Sequence, residues 1–124
     1  LGGKPYLGLS GNPAAAYVGF EMLARPAIRK MRGFAEGTRP VQQATLTHGV
    51  KKRQHRRFFD RATVLRDPET GELLVTEAKT QNSALLGTMQ RANCLLRIDE
   101  GPCELKAGDA VDVVRVDLPE GTAL

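Results

Sequence analysis

The stretch FFDRATVLRDPETGELLVTEA, residues 58–78, contains two β-type segments separated by a turn. Residues 58–65 and 73–78 are rich in the aromatic, β-branched and other apolar side chains that favour strands. Between them, Pro68 fixes its own φ at a value that suits a turn, and Gly71 can adopt a positive φ. We therefore predict that the two segments pair as a β-hairpin.

Three further β-type segments flank this hairpin, at residues 45–47, 95–98 and 110–118. Only residues 83–92 in this part of the chain have the composition of a short helix. Four or five short strands with one helical turn predict a small barrel or sandwich rather than a parallel sheet.

The N-terminal part of the chain, residues 1–33, has a different pattern, which predicts a strand, a tight turn and a helix. Residues 5–9 form a short apolar run that we predict to be the strand. Asn12 is suited to the N-cap because its side-chain carbonyl can accept a bond from a helix N–H, and Pro13 is suited to the first helical position. We expect Gly33 to end the helix, and Pro26 to kink it or split it near Ala24.

One side of this predicted helix is apolar at helical spacing. A single strand and helix cannot bury such a stripe, so we expect it to pack on the β-rich part or to mediate self-association. The stripe consists of Ala16, Phe20, Leu23, Ala27 and Met31.

Residues 34–44 lose all periodicity and contain Gly37 and Pro40, so we place a domain boundary there. The predicted organisation is an N-terminal piece over residues 1–33, a linker over 34–44 and a β-rich domain over 45–124.

Composition excludes several classes of protein. The 124 residues are 41% hydrophobic and 26% charged, which suits a packed core and argues against disordered, collagen-like or mucin-like chains. No apolar run reaches the ~18 residues of a membrane helix. No signal peptide is visible, and the first residues resemble a cut end. The two cysteines, Cys94 and Cys103, fit reduced thiols and a cytoplasmic location.

The net charge of +4 is unevenly distributed. Residues 1–33 carry five cations and one acid, whereas residues 34–124 carry thirteen of each sign. The basic run over residues 51–57, followed by two phenylalanines, is compatible with a nucleic-acid strip or with a solvated loop before an edge strand. Neither His48 nor His55 lies in a metal-binding pattern, so we predict no metal site.

The Gly11-Asn12-Pro13 turn is a candidate anion site. A helix N-terminus presents unpaired N–H groups and positive dipole charge, which favour phosphate or another oxyanion. The turn lacks the lysine of a P-loop and the glycines of a dinucleotide fingerprint. Ser10 does not fit a nucleophile elbow, because Asn12 stands where that motif needs glycine. The alternative is that this turn only caps an ordinary helix and binds no anion.

Three blocks, taken in order, resemble the MoeA family of molybdopterin molybdenumtransferases, which includes the gephyrin E domain. They are GLSGNPAAAYVGFEMLARP at residues 8–26, RRFFDRA at 56–62, and QNSALLGTMQRANC at 81–94 followed by LKAG at 105–108. Together the blocks extend the resemblance over residues ~4–118.

The resemblance implies a fold, a reaction and an assembly. Residues 1–33 would be the last strand and helix of the α/β domain that the family shares with molybdopterin adenylyltransferases. Residues 45–124 would be its small, mostly β C-terminal barrel. Family members insert molybdate into adenylylated molybdopterin with release of AMP, use a divalent cation such as Mg²⁺, and work as homodimers. No nucleic acid or membrane partner is implied.

The resemblance also suggests substrate-binding residues. The turn residues Ser10, Gly11, Asn12 and Pro13 would face an anion of the substrate. By matching position, Arg61 and Ser83 are candidates for contacts to the pterin phosphate or to molybdate, and a guanidinium suits tetrahedral oxyanions. The sequence departs from the family pattern at two positions: Ser10 replaces a proline, and Ala15 replaces a serine whose hydroxyl would contact an oxyanion.

The family's acidic metal-holding segment and a Lys-Pro-Gly-Lys-Pro segment have no counterpart in these residues. We therefore expect the C-terminal part to fold and the chain alone to be inactive. Two alternative functions stay open: a nucleic-acid-binding module that uses residues 51–57, and a scaffold module that only mediates assembly.

Overall fold

The computed structural model describes residues 2–4, 6–9, 11, 13–78 and 91–124. Within them, one helical segment precedes seven strands. The helical segment comprises α1 (Pro13–Gly19), a π-helical turn (Phe20–Ala24) and α2 (Arg25–Met31). The strands are β1 (Val41–Leu46), β2 (Val50–Lys52), β3 (Phe58–Arg66), β4 (Leu73–Glu77), β5 (Cys94–Ile98), β6 (Cys103–Leu105) and β7 (Ala110–Arg115).

Five strands close into a barrel in the order β1–β4–β3–β5–β7, with β7 returning to β1. The β1–β4 pair is parallel, and the other four pairs are antiparallel. The prediction of a small barrel or sandwich is thereby confirmed as a barrel. Closure leaves no open edge in this sheet.

The predicted hairpin is also confirmed. β3 and β4 are antiparallel, with Val64 opposite Val75. In the turn, the Gly71 N–H donates to the Asp67 carbonyl at 2.8 Å, and Gly71 has φ +76°. A residue with a side chain rarely adopts that φ, which explains the glycine.

Alternate residues of each barrel strand point inward and form one core. The interior holds small and branched apolar side chains, as expected for a barrel of this size. The buried members of the core are Ala44, Leu46, Ala62, Val64, Val75, Cys94, Leu96, Ile98, Val111 and Val113.

Two strands lie outside the sequence prediction. β2 and β6 pair antiparallel as a separate ribbon, so part of the basic run is a strand rather than a loop. Lysines at positions 51 and 52 make up most of β2, which masked its strand character. Lys52 is nevertheless 3% exposed, because its ammonium group donates to the carbonyl oxygens of Arg56 and Asp99.

β1 begins at Val41, earlier than the predicted start of this strand at Thr45. Its first residues pair with β7, where Val41 lies opposite Val114 and Gln42 opposite Val113. The polar residues at positions 42 and 43 give no strand pattern in the sequence, and the pairing partner lies near the other end of the chain. Residues 41–44, predicted to be linker, therefore belong to the barrel.

The predicted helix is confirmed with its break at the expected place. The π-helical turn ends at Ala24 and α2 begins at Arg25, just before Pro26. Proline has no N–H for the helix ladder, so regular α-helix cannot run through this point without a local change of hydrogen bonding. Gly33 follows α2 with φ +85°, which fits its role as a stop.

The predicted strand over residues 5–9 is not present in its described part. Residues 6–9 have no regular secondary structure, and no described strand lies beside them. A strand needs a neighbour to satisfy its backbone groups. The expectation was therefore wrong for residues 6–9 in this structure.

The helix docks through polar residues and its apolar stripe does not pack on the barrel, so self-association is the part of our expectation that stays open. Phe20, Leu23 and Met31 are 38%, 59% and 69% exposed. On the docked side, the Arg39 Nε donates to the buried Glu21 Oε2 at 3.1 Å.

The second anchor of the helix is Glu120, whose side chain is 1% exposed. It pairs with Arg25, and its Oε2 lies 3.5 Å from an Arg29 nitrogen. The Arg25 guanidinium lowers the pKa of Glu120 to about 2, because its hydrogen bond stabilises the carboxylate. Charge pairing therefore holds the helix on the barrel.

Candidate functional site

An open groove lies between the first turns of α1 and the start of β3. It has a volume of about 370 Å³, and it brings together two of the sequence blocks that carry the resemblance. Its lining residues are Ala15 and Val18 from α1, and Arg56, Arg57, Phe58, Phe59 and Asp60 from the approach to β3 and its first residues.

The groove lies close to the helix N-terminus. Pro13 begins α1, and Ala15 follows in its first turn. At ~1.5 Å of rise per residue, the two lie about 3 Å apart along the helix axis. The positive end of the helix dipole is therefore near the two arginines of the groove.

The six predicted binding residues have different placements. Gly11 is exposed, Pro13 is the first residue of α1, and Arg61 lies in β3. Ser10, Asn12 and Ser83 lie outside the described residues, as does most of the predicted helix over residues 83–92.

Arg56 and Arg57 give the groove its exposed positive charge. Both are exposed, and an Arg57 nitrogen lies 3.5 Å from the Glu100 Oε1. The partners in that pair are 46% and 73% exposed, so solvent weakens the interaction and an incoming oxyanion can compete for the guanidinium.

Arg61 does not line the groove. It is 3% exposed, and strand alternation turns its side chain away from the face of Asp60. It interacts with other groups in the structure. Its charge still raises the positive potential at the start of β3, because a charge in a poorly solvated position is weakly screened.

Asp60 lines the groove, and the carboxyl group of Glu77 lies next to it on the neighbouring strand β4. Glu77 is opposite Ala62 in the β3–β4 hairpin, so Glu77 and Asp60 share the inward face of the barrel. The two side chains are diagonal neighbours on that face. Burial raises the pKa of both groups, and burial with the neighbouring Asp60 charge raises the pKa of Glu77 to about 6.

Our sequence analysis missed this pair. The signal was nevertheless available, since the predicted hairpin places Asp60 and Glu77 on one face once its register is known. Two acids on the inward face of a strand pair are unusual, because ionised carboxylates are costly to bury.

His48 contacts the backbone of Glu77, one member of the carboxyl pair. The Glu77 backbone N–H donates to His48 Nε2 at 2.9 Å, and His48 Nδ1 lies 3.0 Å from the Gly49 carbonyl oxygen. An Nδ1–H that donates to this carbonyl satisfies both contacts, so we assign the neutral Nδ1–H tautomer.

The described residues contain no group of three or more His, Cys, Asp or Glu side chains that could hold a metal ion. The Mg²⁺ that the resemblance implies therefore has no ligand set in this part of the chain, and we assign no step to it. Among the described residues, no helix has the length and hydropathy needed to cross a bilayer.

Comparison with known sequences gives a consistent result. The family model described as "MoeA C-terminal region (domain IV)" matches residues 43–116. The molybdopterin molybdenumtransferase 1 of Mycobacterium tuberculosis is 33% identical over 114 residues, which cover 90% of this chain and 27% of that protein. The molybdopterin molybdenumtransferase of Staphylococcus aureus is 32% identical over 112 residues, covering 90% and 26%. The chain thus spans about a quarter of the length of these relatives.

Solved structures share the fold. A molybdopterin biosynthesis moeA protein from Pyrococcus horikoshii OT3 superposes with a TM-score of 0.68 at 23% identity, covering 86% of this chain and 26% of that one. A molybdenum cofactor biosynthesis protein from Pyrococcus furiosus gives 0.67 at 24% identity, covering 86% and 36%.

Proposed function

Since this chain belongs to the MoeA family, we propose that it acts in molybdenum cofactor biosynthesis as the C-terminal part of a molybdopterin molybdenumtransferase. The relatives of that name are about four times as long, and their match covers both the helix and the barrel of this chain. The proposed reaction inserts molybdate into adenylylated molybdopterin and releases AMP.

The groove between α1 and β3 is the observation that carries this proposal. Both proposed substrates are oxyanions, and the groove combines two exposed guanidinium groups with a nearby helix N-terminus. Holding two anions side by side lowers the entropic cost of their reaction and offsets their mutual repulsion. These residues would therefore act by positioning and charge.

We propose roles for individual residues on this basis. Arg56 and Arg57 would contact an oxyanion directly, because they are exposed in the groove. Arg61 would act through its charge from a buried position.

The predicted contacts from Ser10, Gly11, Asn12, Pro13 and Ser83 remain part of the proposal. The chemistry of a helix N-terminus supports the four turn residues, because its N–H groups favour anions. The Ser83 hydroxyl is proposed from its matching position in the family.

The wider organisation is proposed from the family. Residues 1–33 would complete an α/β domain, residues 34–40 would join it to a barrel domain that begins with β1 at Val41, and the full-length protein would be a cytoplasmic homodimer. The exposed stripe on the helix supports the first point, because an α/β domain would cover it. We expect these 124 residues alone to be inactive, since they match about a quarter of each relative.

Calorimetric titration with adenylylated molybdopterin tests the proposal. We expect binding to this chain, and at least roughly tenfold weaker binding when Arg56 and Arg57 are both changed to alanine, since charged hydrogen bonds contribute ~1.5–3 kcal/mol each. A Lys51→Ala, Arg53→Ala double variant removes the same charge from a different groove and should bind as wild type does. Equal loss in both variants, or binding of a DNA oligonucleotide alone, would contradict the proposal.

A further inference from the structure

We propose that Glu77 is a positioning residue that holds a proton against Asp60, and that this proton keeps the groove attractive to oxyanions. This inference rests on the proposed function for the oxyanion itself. The pairing of the two carboxyl groups stands on the geometry of the barrel.

The register of the hairpin connects Glu77 to the groove. Glu77 lies opposite Ala62, the next residue after Asp60 on the same face of β3, so the two carboxyl groups are diagonal neighbours. Asp60 also lines the groove beside Arg56 and Arg57. Any change in the charge of the pair is therefore felt where we propose that the anion binds.

A hydrogen bond between two carboxyl groups requires one proton, because ionised carboxylates only accept. Burial raises the pKa of both groups, and the Asp60 charge raises that of Glu77 further. The hydrogen bond from Glu77 and the charges of Arg61 and Lys52 act in the opposite direction on the pKa of Asp60. We therefore assign the proton to Glu77, whose pKa is raised to about 6, and the role of acceptor to Asp60. With this proton the pair carries one negative charge, and without it the pair carries two.

The other groups around the pair come from three elements. Arg61 lies on β3, Lys52 on β2 and His48 between β1 and β2. Lys52 is anchored by two backbone carbonyls, and the His48 Nε2 accepts from the Glu77 N–H.

Loss of the proton has a direct consequence for binding. As the pH rises through about 6, Glu77 ionises and adds a negative charge behind Asp60. We expect the affinity for a dianion to fall by roughly three- to tenfold, as a single added charge does at the effective dielectric of a protein surface.

The first measurement is a carbon-detected NMR titration of the side-chain carboxyl groups in the full chain. We expect Glu77 to titrate near pH 6. In the Asp60→Asn variant, which removes the neighbouring charge, we expect it to titrate at lower pH. A Glu77 that titrates near the ordinary 4.5 in the wild type overturns the proposal, whatever molybdate does.

The second measurement is the calorimetric affinity for molybdate on either side of the Glu77 titration, in the wild type and in Glu77→Gln. The amide can still donate to Asp60 but cannot ionise, so the drop in affinity should disappear. Glu69→Gln, in the exposed turn, should keep the drop. An unchanged drop in Glu77→Gln overturns the proposal.

The two measurements separate this inference from the proposed function. If the wild type binds no molybdate at either pH, the proposed function and the effect on affinity both fail, while the titration of Glu77 still decides whether the shared proton exists. If Glu77→Gln does not fold, the Asp60→Asn titration and the wild-type affinities carry the test.

Discussion

The side chain of Asn93 extends the barrel sheet by hydrogen bonding to the backbone of Val64 at both polar atoms. Its Oδ1 accepts from the Val64 N–H at 2.8 Å, and its Nδ2 donates to the Val64 carbonyl at 2.9 Å. The ladder between β3 and β5 ends at the pair Ala62 and Cys94. The side-chain amide of Asn93 therefore takes the place of a backbone partner for Val64 just beyond the end of this ladder.

Replacing Asn93 with alanine should destabilise the barrel by roughly 1–3 kcal/mol, because two backbone groups of the buried Val64 lose their partners. Urea unfolding followed by circular dichroism would measure this. Asn93→Asp should also destabilise, since it keeps the acceptor and loses the donor. An Asn93→Ala variant that unfolds at the same urea concentration as the wild type would show that the two hydrogen bonds are not needed.

Leu46 should be among the positions in β1 most sensitive to truncation. It is 1% exposed in the barrel core, so Leu46→Ala should cost ~2–5 kcal/mol through lost burial and the cavity left behind. Leu65 is the matched control, since it is 67% exposed near the end of β3 and should tolerate alanine within ~0.5 kcal/mol. If the two variants unfold at the same urea midpoint, Leu46 is not a core residue of the kind described.

Acid should weaken the docking of the helix through Glu120. Because the folded-state pKa of this group is lowered to about 2 from an ordinary 4.5, its stabilisation is complete above about 4.5 and is lost as the pH falls towards 2. Glu120→Gln should lower stability at neutral pH by roughly 1.5–3 kcal/mol and remove this part of the acid dependence. Thermal unfolding at several pH values measures both effects. If the wild type and Glu120→Gln lose stability in parallel as the pH falls, Glu120 does not have this role.

The two thiols should differ in reactivity. Cys94 is fully buried in the core and burial raises its pKa to about 12, whereas Cys103 is only half-buried in the ribbon. In mildly alkaline buffer a disulfide reagent should therefore modify one thiol of the native chain, and Cys103→Ser should abolish that reaction. Both thiols should react in denaturant. Rapid modification of Cys94 in the native chain would be inconsistent with this core.

The sequence predicted those parts of the fold whose signal is local. The hairpin has its turn residues and its apolar strands within the single stretch 58–78, and the break near Ala24 follows from Pro26 alone. The ribbon of β2 and β6 has no such signal, because pairing between segments far apart in the chain determines it and lysines make up most of β2.

The docking of the helix shows a second limit. Periodicity correctly located an apolar stripe, but it could not say that Glu21 would find Arg39 and that Arg25 would find Glu120 across the fold. In the candidate site, motifs pointed to the helix turn and to residues 56–62. The carboxyl pair was missed, because its meaning depends on strand register.

We propose that the groove between α1 and β3 binds the oxyanions of the reaction. The most direct test is an amide NMR titration of the isotope-labelled chain with molybdate and with AMP. We expect shifts at Ala15, Val18 and residues 56–60 that saturate with each ligand and are absent from the Arg56→Ala, Arg57→Ala variant. Shifts confined to residues 51–53 and 102–104, or no saturable shifts, would contradict it.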